Sequence, residues 1–151
     1  MYPNIQKEDV YIDAFCQWLI RTPYAYQTVV TENMFGDIIS DEGAFLMGSL
    51  GMASSGNIHP GKVSMYEPIH GTAPDIAGKN IANPIGTILS LKLMMQESFN
   101  QQKLGNEIEN AVEEALTEGR TIDIKNPKLK TLSTKEMGDL ISEKLKKRLK
   151  K

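Results

Sequence analysis

The chain has 151 residues, about the length of one domain, with 17 Lys+Arg, 19 Asp+Glu and a formal net charge of -2. At 40% hydrophobic and 24% charged, with 12 Gly and 7 Pro, its composition is globular and excludes collagen-like, disordered and disulfide-stapled classes. Nearly balanced charge gives no reason to expect nucleic acid as a partner, and no apolar run nears the roughly 18 residues of a membrane span.

The first ten residues show no basic segment followed by an apolar one, so no secretory signal is expected. Val10-Tyr11-Ile12 is β-branched and aromatic and predicts a short strand, with Asp13 at its end. Phe15, Trp18, Leu19 and Ile20 suit a helix over 13–21 that stops before Thr22-Pro23. Cys16 is the single cysteine and no Asn-x-Ser/Thr sequon is present, which agrees with a reducing, cytoplasmic setting. Thr28-Val29-Val30-Thr31 predicts a second buried strand, and 34–46 a helix with Ile38, Ile39, Phe45 and Leu46 as its apolar members.

Asp37 and Asp41 are four residues apart, so on that helix both carboxylates leave one face. Hard oxygen ligands so placed suit Mg²⁺ or Mn²⁺ if other groups complete the shell; the same spacing also describes a solvated acidic face. Residues 48–62 read as loop and Val63 to Tyr66 as a strand. Glu67 to Asn83 is a long loop without either period. It lacks G-x-G-x-x-G, and Gly78-Lys79 is followed by Asn80, so neither common nucleotide signature fits. Its glycines could still admit a phosphate and Asp75 could accept from ribose hydroxyls, while a plain surface loop explains it too. His70 is similarly open between capping a turn and acid-base work.

Asn83 followed by Pro84 opens a helix reaching about Ser98. Leu104, Ile108, Ala111, Val112, Ala115 and Leu116 form an amphipathic stripe stopped by Gly119. Ser133-Thr134-Lys135-Glu136 is a capping box, and the helix behind it runs into the basic end from Lys144 to Lys151. Early strands alternating with helices and later helices indicate an α/β class.

Two motifs then combine. Asn33-Met34-Phe35-Gly36-Asp37-Ile38-Ile39-Ser40-Asp41-Glu42-Gly43, continuing through Gly48-Ser49-Leu50-Gly51-Met52, is the first. Tyr66-Glu67-Pro68-Ile69-His70-Gly71-Thr72-Ala73-Pro74-Asp75-Ile76-Ala77-Gly78-Lys79-Asn80-Ile81-Ala82-Asn83-Pro84 is the second. Together they resemble the β-decarboxylating dehydrogenases, the isocitrate/3-isopropylmalate dehydrogenase family, and most of all its isopropylmalate branch in leucine biosynthesis. Gly119-Arg120-Thr121-Ile122-Asp123 and Ser133 to Asp139 also look like that family's C-terminus. Thr72 stands where Ser is usual and keeps the hydroxyl.

The resemblance implies an incomplete isopropylmalate-dehydrogenase-like α/β fold, the C-terminal part of a two-domain subunit. Residues 1–47 would be the tail of the dimer-forming, metal-site domain and 48–151 the C-terminal half of the cofactor-binding domain. It implies a Mg²⁺ or Mn²⁺ site from Asp13, Asp37 and Asp41, with Asp13 from one subunit of a homodimer and the pair from the other; Asp13 would also meet substrate. It implies that His70, Gly71, Thr72, Ala73, Pro74, Asp75, Ile76, Ala77, Gly78, Lys79, Asn80, Ile81, Ala82 and Asn83 hold the adenosine part of NAD. A carboxylate at Asp75 would bind ribose hydroxyls and repel a 2′-phosphate. The implied chemistry is hydride transfer from a small 2-hydroxy acid followed by loss of CO₂. The catalytic Tyr and Lys and the substrate-clamping arginines belong to the part of the family not matched here. The chain alone is therefore expected to be inactive unless a complementing N-terminal chain is supplied. Sibling substrates are isocitrate, homoisocitrate and tartrate/malate, and a non-catalytic partner subunit is the alternative.

Overall fold

A computed structural model describes residues 3–150; Met1, Tyr2 and the last of the basic run, Lys151, lie outside it. The elements in order are α1 (Ile12–Arg21), α2 (Asn33–Met47), β1 (Ser54–Asn57), β2 (Met65–Pro68), α3 (Ile85–Glu97), α4 (Gln102–Glu118), β3 (Gly119–Arg120), β4 (Lys130–Thr131) and α5 (Thr134–Arg148). Single 3₁₀ turns occupy Pro23–Ala25, Leu50–Met52, Pro74–Ile76 and Ile122–Ile124.

The core forms where the amphipathic stripe of α4 meets α3 and α5. Ile85, Ala111, Val112, Ala115, Met137 and Ile141 cluster there with Met52 and Leu132. Each large side chain buried in this way contributes about 1.5–3 kcal/mol. Gly119 ends α4 as expected, and its extended backbone leads into β3, which pairs in parallel with β4. At the far end of α5, Arg148 bridges Glu107 and Glu114 of α4, and Lys144 pairs with Glu118.

The capping box of α5 is formed as its residues predict. Ser133 Oγ accepts from the Glu136 N–H, and Glu136 accepts from the Ser133 N–H at 2.9 Å. That N–H, Lys130 at 2.9 Å and the Ser133 hydroxyl push the Glu136 carboxyl down from 4.5 to about 2. A lowered folded pKa means that the stabilisation is complete above about pH 4.5 and is lost as pH falls toward 2. Glu136→Gln is therefore expected to flatten the fall in thermal midpoint between pH 5 and pH 2, relative to the unaltered chain. An equally steep fall in the variant would contradict this.

Two predicted strands do not form. Val10 and Tyr11 stay extended but unpaired, and Ile12 already begins α1, with the Tyr11 carbonyl accepting from Phe15 N–H at 2.8 Å. Asp13 consequently sits in the first turn of a helix, not at a strand end. Thr28 to Thr31 is likewise not a strand, and Val30 is 93% exposed. A strand needs a neighbour to accept its ladder, and among the described residues the only pairings are β1 with β2, antiparallel, and β3 with β4. The extended segments instead border a cleft of about 800 Å³ with Ile5, Val10, Phe15, Val29, Phe35 and Ile39 in its walls. The stretch read as loop over 48–62 contains β1, and the strand expected at Val63 to Tyr66 lies two residues later. Ser54-Ser55-Gly56-Asn57 has little β character of its own; pairing with β2 makes it a strand. None of the described helices is long and apolar enough to cross a membrane.

Candidate functional site: a loop-walled cleft and a carboxylate pair

The 67–83 segment is held at its start, where Glu67 and Pro68 pair with β1, and at its end, before α3. Asn83 Oδ1 accepts from Ile85 N–H at 3.0 Å, so the expected cap is made even though helical geometry begins at Pro84. Farther back, Asn80 adopts a left-handed φ of 58° and receives Lys135 N–H on its Oδ1 at 3.0 Å, while its carbonyl receives Thr134 N–H at 3.0 Å. Thr134 Oγ1 donates to the Ala82 carbonyl at 2.5 Å. The first turn of α5 thus uses its otherwise unpaired donors to hold the loop. Gly78 makes the bend before Asn80 at φ 75°, a region that any larger side chain would strain.

Under this loop opens a cleft of about 920 Å³. Of the candidate cofactor residues 70–83, all line it except Pro74, Asp75 and Lys79. Asp75 is exposed on the 3₁₀ turn Pro74–Ile76. His70 Nδ1 lies 2.9 Å from the Gly71 carbonyl. A carbonyl only accepts, so this contact places a proton on Nδ1. The opposite wall comes from the 48–51 turn, Ile122 and Asp123. That turn and the residues after it approach α3 closely: a Cβ on Gly86 would lie 3.1 Å from the Gly51 carbonyl oxygen and 2.8 Å from that of Ala53, so only glycine fits.

Asp123 was not singled out by sequence reasoning as a site residue. Its Oδ2 accepts from the Ser49 hydroxyl and, at 3.0 Å, from Asn83 Nδ2. Burial pushes this carboxyl up, but the polar groups around it, Ser49 first, then Thr121, Asn83 and the backbone, outweigh it and hold it below the ordinary carboxylate value. The buried Thr121 hydroxyl adds its dipole without completing a hydrogen bond. A signal was present: Asp123 lies three residues beyond the end of β3, and ligands in α/β folds collect beyond strand C-terminal ends.

The three candidate metal ligands are exposed and sit on two helices. Asp37 and Asp41 leave α2 one turn apart, and Asp37 Oδ2 accepts from Asn33 Nδ2 at 3.2 Å. Asp13, on α1, accepts from its neighbour's N–H, Ala14, at 2.8 Å. Among the described residues no three carboxylates, imidazoles or thiols form a metal-sized group, so one chain brings together the pair but not the trio. Beside them, the Cys16 thiol on α1 is raised above 9.0, by its contact with the Glu42 carboxylate of α2 and then by burial.

A sequence profile described as isocitrate/isopropylmalate dehydrogenase matches residues 1–141. The chain belongs to the isocitrate/isopropylmalate dehydrogenase family. Two 3-isopropylmalate dehydrogenases illustrate the relation. That of Aquifex aeolicus is 48% identical over 145 residues, which is 95% of this chain and 40% of the relative. That of Cupriavidus metallidurans is 45% identical over 141 residues, 93% of this chain and 40% of the relative. Among solved structures, isocitrate dehydrogenase from Methylococcus capsulatus superposes with a TM-score of 0.87 at 35% identity, covering 95% of this chain and 42% of that one. A β-decarboxylating dehydrogenase from Thermococcus kodakarensis, in its apo form, gives 0.79 at 36% identity, covering 92% and 40%. The chain thus spans about two-fifths of the length of the curated relatives it matches. The family relation agrees with the resemblance carried by the motifs over 33–52 and 66–84, and the α/β architecture agrees with it as well.

Proposed function

We propose that this chain supplies the adenosine side of the NAD site and the Asp37–Asp41 pair of a divalent-metal site in an oxidative decarboxylase of a 2-hydroxy acid, with 3-isopropylmalate as substrate. The observation that carries the reading is the 70–83 loop forming one wall of the 920 Å³ cleft, in a chain 45–48% identical to 3-isopropylmalate dehydrogenases. In this reading 1–47 belong to the dimer-forming domain and 48–151 to the cofactor domain, in a cytoplasmic homodimer.

The residues present fit both groups. Ile76, Ile81 and Ala77 give the cleft the apolar wall that a purine ring needs. Asp75 on its exposed turn accepts from ribose hydroxyls and repels a 2′-phosphate, which favours NAD over NADP. His70, its ring held by the Gly71 carbonyl, presents Nε2 to the bound nucleotide. Asp37 and Asp41 are hard oxygen donors of the kind Mg²⁺ or Mn²⁺ takes, and Asp13 of a second subunit completes the carboxylate set. When bound beside these residues, NAD would supply a hydride acceptor, and a cation held by Asp37 and Asp41 would supply Lewis acidity toward the substrate oxygens.

Thermal unfolding of the purified chain tests the cofactor half. NAD at a hundred times its Kd is expected to stabilise by about 2.7 kcal/mol, with a smaller shift from NADP at equal concentration. Equal shifts from both would reject the role of Asp75. Turnover is tested by mixing the chain with the part of the Aquifex aeolicus enzyme that it does not match. The mixture is expected to reduce NAD with 3-isopropylmalate and Mg²⁺, and the chain alone is not. Binding of NAD without turnover of 3-isopropylmalate, isocitrate, tartrate or malate in the mixture would favour a non-catalytic partner subunit.

A further inference from the structure

One carboxylate oxygen ties three segments of the cleft wall together, from the turn before β1, the end of the 67–83 loop and the segment after β3. Asp123 Oδ2 accepts from Ser49 and from Asn83 Nδ2. A carboxylate without a proton can only accept, so it dictates which end of the Asn83 amide faces it. The amide oxygen is thereby turned toward Ile85 N–H, where it caps α3 at 3.0 Å. Ser49, having given its proton to Asp123, is left to accept from Gly51 N–H at 3.1 Å. Reversing either donor would leave a cap of α3 or of the 49–51 turn unmade.

We propose that Asp123 is the positioning residue of the cofactor cleft, aligning Asn83 and the 49–51 turn so that the 70–83 loop meets adenosine in a single arrangement. Both ends of the Asn83 amide are committed within the protein, so Asp123 acts on the nucleotide through the loop end that Asn83 anchors. The polar groups around it hold the carboxyl below the ordinary carboxylate value and keep it ionised near neutrality. This inference rests on the cofactor reading proposed above.

The test is calorimetric titration of the 151-residue chain with NAD and with 5′-AMP, which probes the adenosine end alone. Asp123→Ala removes the shared acceptor and is expected to weaken both probes roughly tenfold, the loss of one hydrogen bond to a charged group. Asp123→Asn keeps an amide oxygen that can face both Ser49 and Asn83 and is expected to recover most of the affinity. Should Asp123→Ala fail to fold, Asn83→Asp, which opposes two carboxylates, takes its place and should bind both probes more weakly than Asp123→Asn. Unchanged affinity in Asp123→Ala or Asn83→Asp, or an equal loss in Asp123→Asn, overturns the positioning role while the cofactor reading stands. Absence of binding of both probes by the unaltered chain overturns the cofactor reading and this inference with it.

Discussion

Met137→Ala is expected to destabilise the chain by about 2–5 kcal/mol, seen as a lowered urea midpoint followed by circular dichroism. Met137 is fully buried, packed in the cluster that joins α4 to α5 and includes Ile85 at the start of α3. Its removal leaves a cavity between helices that are also tied by surface ion pairs, and exposed pairs contribute little in compensation. Domains have only about 5–15 kcal/mol in total. This one also leaves Val30, Val63 and Tyr11 almost wholly in water, so its margin is expected at the low end of that range. Lys146→Ala on the exposed face of α5 is the control and should shift stability by less than about 0.5 kcal/mol. A Met137 variant indistinguishable from that control would mean that the three-helix cluster is not what holds the chain together.

The second large effect is on turnover in the assembly completed as described above. Replacing Asp37 by asparagine keeps the side-chain shape but removes one of the three carboxylate charges proposed to face the cation. The loss of Lewis-acid catalysis that follows is worth several kcal/mol, so kcat/KM should fall at least about a hundredfold and the Mg²⁺ requirement should rise. Asp37 lies outside the cleft, so the thermal shift produced by NAD on the chain alone should not change. Loss of that shift in Asp37→Asn would show a folding defect, and full turnover would remove Asp37 from the metal site.

Some features could be read from neighbouring residues because their physics is local. The capping box at Ser133 and Glu136, the stop at Gly119 and the one-turn spacing of Asp37 and Asp41 involve groups within a few positions of each other. The 70–83 loop was also visible as a continuous motif, and most of it lines one cleft. The strands over 10–12 and 28–31 were not readable in the same way. Their composition is suitable, but a strand exists only with a partner, and none is supplied among the described residues.

Asp123 shows the converse case. It was in plain view in Gly119-Arg120-Thr121-Ile122-Asp123, yet its role comes from Ser49, 74 positions earlier, and Asn83, 40 positions earlier. Hydrophobic periodicity, caps and motif order were enough to establish the helices, the α/β class and the family, since each depends on side chains close together along the chain. Which oxygen joins the turn before β1, the 67–83 loop and the segment after β3, and which extended segments remain without a ladder followed only once the chain had folded, because hydrogen bonds and burial act across space rather than along sequence.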